Sequence, residues 1–285
     1  MLPAFELLEP TSLEDALEAL ADGRATPMAG GTNLLPDLRA RVDPARRFVD
    51  LSRIDELRGI DRANGRVVMG GGTTLTDILR DPALRQAAPS LVAAAEVFAG
   101  LMVRNAATVG GNICYGSPSA DVVPPLLSLD AEVTLDSHQG ARSVPLDGFF
   151  LDYKKTVMRA DEILTAVSWT PPGPGTANLF YKLGRRKGDA ITVTGVAVAL
   201  AVEGGRCAKA RIALGSVAPT VFRVKDAEGM LEGEPLTDEL IEAAARTAAD
   251  ACRPIDDLRA SAEYRSHTAH VLTRRLLRQA WELAA

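Results

Sequence analysis

Two glycine pairs constrain this chain more than any other feature: Ala29-Gly30-Gly31-Thr32-Asn33 near the N-terminus and Thr108-Val109-Gly110-Gly111-Asn112 before the middle. In the first, the glycines are followed by a hydroxyl and then an amide. In the second, Thr108 and Asn112 bracket the pair, and Ser117, Ser119 and Asp121 follow closely. Without a Cβ, a glycine main chain lets another group lie directly against its N–H groups. Small residues ringed by short neutral polar side chains suit a polyhydroxylated or phosphorylated ligand held mostly by backbone. One such loop is as readily a tight turn with no ligand. Two in one domain can grip opposite sides of a single large phosphate-bearing molecule.

The surrounding pattern predicts where these loops sit. Ser12 caps a helix with Asp15 three residues on; Leu13, Ala16, Leu17 and Leu20 share one face, and Gly23 ends it. A strand over 26–28 runs into the first pair, a helix follows over 33–41, and a strand over 48–51. This β-loop-α-β unit sets the backbone donors of Gly30 to Asn33 near a helix N-terminus, where the dipole favours phosphate. Strands over 67–69, 132–135 and 163–169 and helices over 75–80 and 89–96 make up the rest of the first half, with Gly70 to Gly72 closing the first of those strands. The run Pro171-Pro172-Gly173-Pro174-Gly175 joins neither helix nor sheet ladder and marks a domain boundary. We divide the chain there into 1–172, with subdomains of about 1–55 and 56–172, and 178–285. The second domain reads as an antiparallel meander of strands over 179–183, 192–202 and 208–214. Helices follow over 224–231, after Thr237, and over 263–283. Strands then helices make an α+β fold.

Composition narrows the chemistry. A length of 285 residues with 47% hydrophobic content allows two modest soluble domains. A net charge of −5 and 5% aromatic residues argue against a nucleic-acid surface. The three cysteines, Cys114, Cys207 and Cys252, are far apart and form no C-x-x-C pair, so no disulfide framework, zinc site or iron–sulfur cluster is expected from this chain. No signal-peptide pattern is present, and the longest apolar run, 191–202, is too short to span a bilayer, so we expect a cytoplasmic protein without a membrane span. No Walker motif, Rossmann glycine fingerprint, H-E-x-x-H or G-x-S-x-G occurs. His267 and His270, three apart, read as solvated surface rather than metal ligands. Lys182 lies mid-strand ahead of the basic loop Gly184-Arg185-Arg186-Lys187-Gly188-Asp189, which alone is a solvated hairpin tip. The lysine can offer positive charge to an electron-rich ring or a phosphate. Phe98-Ala99 is either core packing or an apolar wall for a flat ring.

Taken together, these residues resemble the FAD-binding medium subunit of the molybdenum hydroxylases, a family that includes carbon monoxide dehydrogenase, xanthine dehydrogenase and N-heterocycle hydroxylases. The resemblance rests on Ala29-Gly30-Gly31-Thr32, Arg104-Asn105 with Ala107 to Asn112, Ser117-Pro118 with Asp121, Lys182 to Arg186 with Gly188-Asp189, and Glu263-Tyr264-Arg265. It implies a two-subdomain FAD domain of the vanillyl-alcohol-oxidase (PCMH) type, followed by a small α+β C-terminal domain. Met28, Ala29, Gly30, Gly31, Thr32, Asn33 and Leu34 are then expected to wrap the pyrophosphate, and Thr108, Gly110, Gly111 and Asn112 to complete that cradle. Cys114 and Tyr115 extend this segment toward the cofactor. Phe98 and Ala99 lie against the cofactor, Asp121 bonds its hydroxyl-bearing part, and Leu164 and Lys182 reach the flavin ring. The Gly184–Ile191 loop shields the ring, with Ile191 an apolar lid. Asn33 stands where an acidic residue is common and Tyr115 where a smaller polar one is. Between Gly111 and Asp121 there is no room for the four-cysteine insertion of the 4-hydroxybenzoyl-CoA reductase branch.

The resemblance further implies a large partner with a molybdenum cofactor and a small partner with two [2Fe–2S] clusters, in a dimer of heterotrimers. FAD would relay electrons to NAD, a quinone or oxygen, and no catalytic acid, base or metal ligand is required of this chain. A stand-alone FAD-dependent oxidase or reductase, and a non-catalytic scaffold subunit, are the other readings.

Overall fold

The computed structural model describes residues 2–284. The first unit consists of β1 (Glu6–Leu8), α1 (Leu13–Leu20), β2 (Thr26–Met28), α2 (Leu34–Arg39) and β3 (Arg47–Asp50). Its strands are parallel in the order β1-β3-β2. The Ser12 hydroxyl accepts the Asp15 amide at 3.1 Å and starts α1, which buries Ala16 and Leu20 against Val49, Ile54 and Leu57. The β-loop-α-β arrangement expected around the first glycine pair is present. The α2 helix is shorter than the pattern predicts, because Arg41 turns to a φ of 58° and stops it.

The second unit runs through β4 (Ile60–Ala63), β5 (Arg66–Gly70), α3 (Leu75–Arg80), α4 (Leu84–Ala87), α5 (Pro89–Glu96), α6 (Leu101–Ala106), α7 (Val109–Cys114), α8 (Val123–Ser128), β6 (Glu132–Ser137), β7 (Gly140–Pro145), β8 (Phe150–Asp152), β9 (Lys155–Thr156) and β10 (Ile163–Trp169). Its main sheet is antiparallel, in the order β4-β5-β10-β6-β7. The helices cover one face around Leu75, Leu91, Ile113 and Leu126, and buried Trp169 donates its indole N–H to Ala87 O at 2.9 Å. The stretch from Leu101 to Cys114, to which the sequence pattern assigns no helix, forms two short helices. Each helical glycine costs about 1 kcal/mol relative to alanine, which hides α7 from a propensity reading. The close packing of its glycines, described below, offsets that cost.

The C-terminal unit contains β11 (Thr176–Gly184), β12 (Thr192–Glu203), β13 (Arg206–Gly215), β14 (Phe222–Arg223), α9 (Lys225–Leu231), α10 (Asp238–Asp250) and α11 (Ala262–Ala284). Its sheet is antiparallel in that order of strands. β12 is buried on both faces, and its alternation sorts by size: Val196, Val198 and Leu200 pack under α10 and α11, whereas Ala197, with Ala213 and Val221, joins the core of the preceding unit. The small residues let α5 and α8 lie against this sheet. Arg265, 3% exposed, ties α11 to the sheet by donating to Val193 O at 2.7 Å and Ser216 O at 3.0 Å, and it pairs with Asp257 at 2.9 Å. No helix among the described residues is long and apolar enough to cross a membrane. His270 Nε2 lies 2.9 Å from Glu242, within a surface cluster that includes Arg246 and Arg274.

Candidate cofactor site

The two glycine pairs meet. A Cβ built on Gly30 would lie 1.7 Å from the carbonyl oxygen of Ala106, at the end of α6, and one on Gly111 would lie 3.9 Å from the Cβ of Ala29. The first loop and the segment from α6 into α7 are therefore packed main chain on main chain. Gly31 has a φ of +65°, which turns the chain into α2. Among the described residues, none of the amides from Gly30 to Asn33 donates to a main-chain carbonyl. Asn33 makes no side-chain cap on α2. These donors are unspent by the main chain.

The second pair works differently. The Gly110 amide donates to Gly71 O at 2.8 Å, the Gly111 amide to Thr108 Oγ1 at 3.0 Å, and the Asn112 amide to Thr108 O at 3.0 Å. A Cβ on Gly110 would lie 2.7 Å from Gly71 O, and one on Gly71 would lie 2.1 Å from Leu164 O. The glycines there bring Leu164, Gly71 and α7 into close packing, and their N–H groups already donate within the chain. The segment offers side chains instead. Asn112 Oδ1 is buried without a hydrogen-bond partner, an acceptor in need of a donor.

Phe98 and Ala99 form a turn between α5 and α6. Ala99 has a φ of 32°, a left-handed conformation costing on the order of 1 kcal/mol for a residue with a Cβ. Arg104 holds the turn, with Nη1 donating to Phe98 O and Ala99 O at 2.7 Å each. From β11, Lys182 Nζ reaches Val97 O at 3.4 Å and Asp121 Oδ2 at 2.6 Å, both charged side chains being 7% exposed. The Thr192 hydroxyl donates to the other Asp121 oxygen. Burial pushes the Asp121 carboxyl up, while the Lys182 ammonium and the two hydrogen bonds pull it down. The sequence reading sends Asp121 and Lys182 to different parts of a cofactor; here they partner each other across the two domains.

Cys114 and Tyr115 are also committed within the chain. Cys114 packs on the central core, and burial pushes its thiol up to about 12. The Tyr115 hydroxyl donates to Asp37 of α2 at 2.8 Å, and Lys154 Nζ lies 4.2 Å from its ring centroid. The thiol fills core and the phenol ties α7 to α2. In the basic loop, Arg185 donates to Leu258 O and Arg186 to Asp189 O, so neither guanidinium is simply solvated as a hairpin tip implies. The loop leans on the Phe98–Ala99 turn, since a Cβ on Gly100 would lie 2.9 Å from Asp189 Oδ1; Ile191 is 52% exposed. Arg104, Gly71 and Thr192 were given no site role in the sequence reading. Arg104 and Gly71 lie in stretches already noted there, but their roles depend on contacts between segments.

A family model described as the FAD binding domain in molybdopterin dehydrogenase matches residues 3–169, and one described as the CO dehydrogenase flavoprotein C-terminal domain matches residues 179–280. The chain is 35% identical, over 99% of both proteins, to the carbon monoxide dehydrogenase medium chain of Hydrogenophaga pseudoflava. It is 36% identical to a putative xanthine dehydrogenase FAD-binding subunit of Escherichia coli strain K12, over 94% of this chain and 93% of the other. The solved carbon monoxide dehydrogenase of H. pseudoflava that lacks the Mo-pyranopterin moiety superposes with a TM-score of 0.97 over 100% of both chains, at 35% identity.

Proposed function

The chain belongs to the FAD-binding medium subunits of the molybdenum hydroxylases, and on that premise we propose how its residues hold the cofactor and serve the enzyme. It is the flavoprotein component of an oxidoreductase and works beside large and small partner subunits. The amides of Gly30 to Asn33 would hold the FAD diphosphate, with Met28 and Leu34 flanking them in the chain and the Thr32 hydroxyl offering a further bond. Asn112 Oδ1 accepts from a cofactor hydroxyl, which would satisfy its buried lone pairs. Phe98, Ala99 and Leu164 wall the ring, and the Asp121–Lys182 pair closes the side toward the C-terminal domain. The single observation that carries this arrangement is the contact of the Gly30 loop with α6 and α7, in segments that also carry main-chain amides with no main-chain acceptor and a buried Asn112 Oδ1 with no donor.

When bound, FAD would supply redox chemistry that links single-electron donors, the [2Fe–2S] clusters of the small subunit, to a two-electron acceptor. This chain's residues bind the cofactor, fix its orientation and keep water from one side of it. We assign the molybdenum cofactor to the large subunit, a dimer of heterotrimers to the assembly, the cytoplasm to its location, and NAD, a quinone or oxygen to the acceptor. In the test, the purified chain is incubated with FAD, desalted and scanned. Equimolar bound flavin is expected, and rapid mixing of the reduced protein with each acceptor in turn selects among the three. A chain that retains no flavin contradicts the assignment.

A further inference from the structure

The turn from Val97 to Gly100 is held at every residue by a group from elsewhere in the chain. Lys182 meets Val97 O, Arg104 meets both Phe98 O and Ala99 O, and Gly100 lies against the Asp189 carboxylate. Ala99 keeps a left-handed φ that an isolated chain would relax, so its conformation persists because the surroundings impose it. Arg104 supplies the two shortest of these contacts, and its Nε is buried without a partner. Both bonds of one guanidinium nitrogen are thereby spent on two adjacent carbonyls of the strained turn.

We propose that Arg104 is a positioning residue for the flavin: by clamping the carbonyls of Phe98 and Ala99 it fixes the wall against which the ring lies, and so sets the ring's environment without touching it. The inference rests on the cofactor placement proposed above. Losing the clamp frees Ala99 to relax toward negative φ and moves the Phe98 ring, while the Gly30 loop amides and Asn112, in other segments, keep their geometry. Cofactor binding and cofactor environment are thereby separable.

The test compares wild type, Arg104→Lys, Arg104→Ala and Gly100→Ala in the purified full chain loaded with FAD. Flavin content, visible circular dichroism of the bound flavin, its midpoint potential and thermal midpoint are measured together. Arg104→Ala is expected to keep flavin content within about twofold of wild type and to change the flavin dichroism and potential. Arg104→Lys, able to reach one carbonyl at a time, is expected to fall between. Gly100→Ala, which disturbs the same turn from the Asp189 side, is expected to change the dichroism in the same sense and keeps the proposal testable if Arg104→Ala does not fold. Wild-type dichroism and potential in all three variants, with only the thermal midpoint lowered, overturn the positioning role. Wild-type protein that binds no flavin overturns instead the placement on which it rests.

Discussion

Replacing Gly30 by alanine is expected to abolish tight cofactor binding and to destabilise the chain by about 3 kcal/mol. The added methyl would sit 1.7 Å from Ala106 O and 2.4 Å from its carbonyl carbon, both main chain, so no side-chain rotation can relieve the overlap. The first loop must swing away from α6, carrying the free amides of Gly30 to Asn33 with it. A comparable loss at the cofactor is about a hundredfold in affinity. Gly229→Ala is the matched control, because nothing lies within 4 Å of a Cβ there and the position is in α9; it should be neutral or slightly stabilising. Flavin fluorescence titration and urea denaturation of both variants decide the matter. Wild-type affinity in Gly30→Ala would mean that the contact between the two segments is irrelevant to the ligand.

Lys182→Met should be the most damaging charge removal. It leaves Asp121 buried with only the Thr192 hydroxyl for company, and stranding one member of a buried pair typically costs about 3–5 kcal/mol. Adding Asp121→Asn should recover much of that loss, since an amide needs no counter-charge. The recovered part is the coupling free energy of a double-mutant cycle. The single variant also carries a pH signature. Asp121 already titrates above the ordinary carboxylate range because of burial, and loss of the lysine raises it further. A group raised in the folded state adds stability below its unfolded value and loses it as pH rises through the folded one. The destabilisation of Lys182→Met should therefore be smaller near pH 4 than near pH 8. Equal destabilisation at both would show that the carboxylate is not stranded.

The sequence made the first glycine loop legible because every part of it is local: β2, the pair and α2 are contiguous, and helix and strand periods flank them. The antiparallel sheet of the C-terminal domain was equally visible from its successive strand runs over 179–183, 192–202 and 208–214. The packing role of the second glycine pair was not legible. Its purpose depends on Gly71 and Leu164, which come from β5 and β10 and approach only after the five-stranded sheet has formed. The pairing of Asp121 with Lys182 was hidden for the same reason, since the residues lie in different domains and each alone looks like a ligand contact. Arg104 was noticed as part of a pattern, yet its hold on a strained alanine needs a φ value that no residue type other than glycine announces.

The central claim is that one ligand lies against both glycine segments at once, and amide hydrogen exchange of the purified chain with and without saturating FAD tests it most directly. Peptides covering 29–34 and 108–112 should both slow, the first strongly because its amides gain acceptors, the second modestly because its amides are already bonded. Protection confined to one segment, with the other exchanging as it does without FAD, would contradict a shared site.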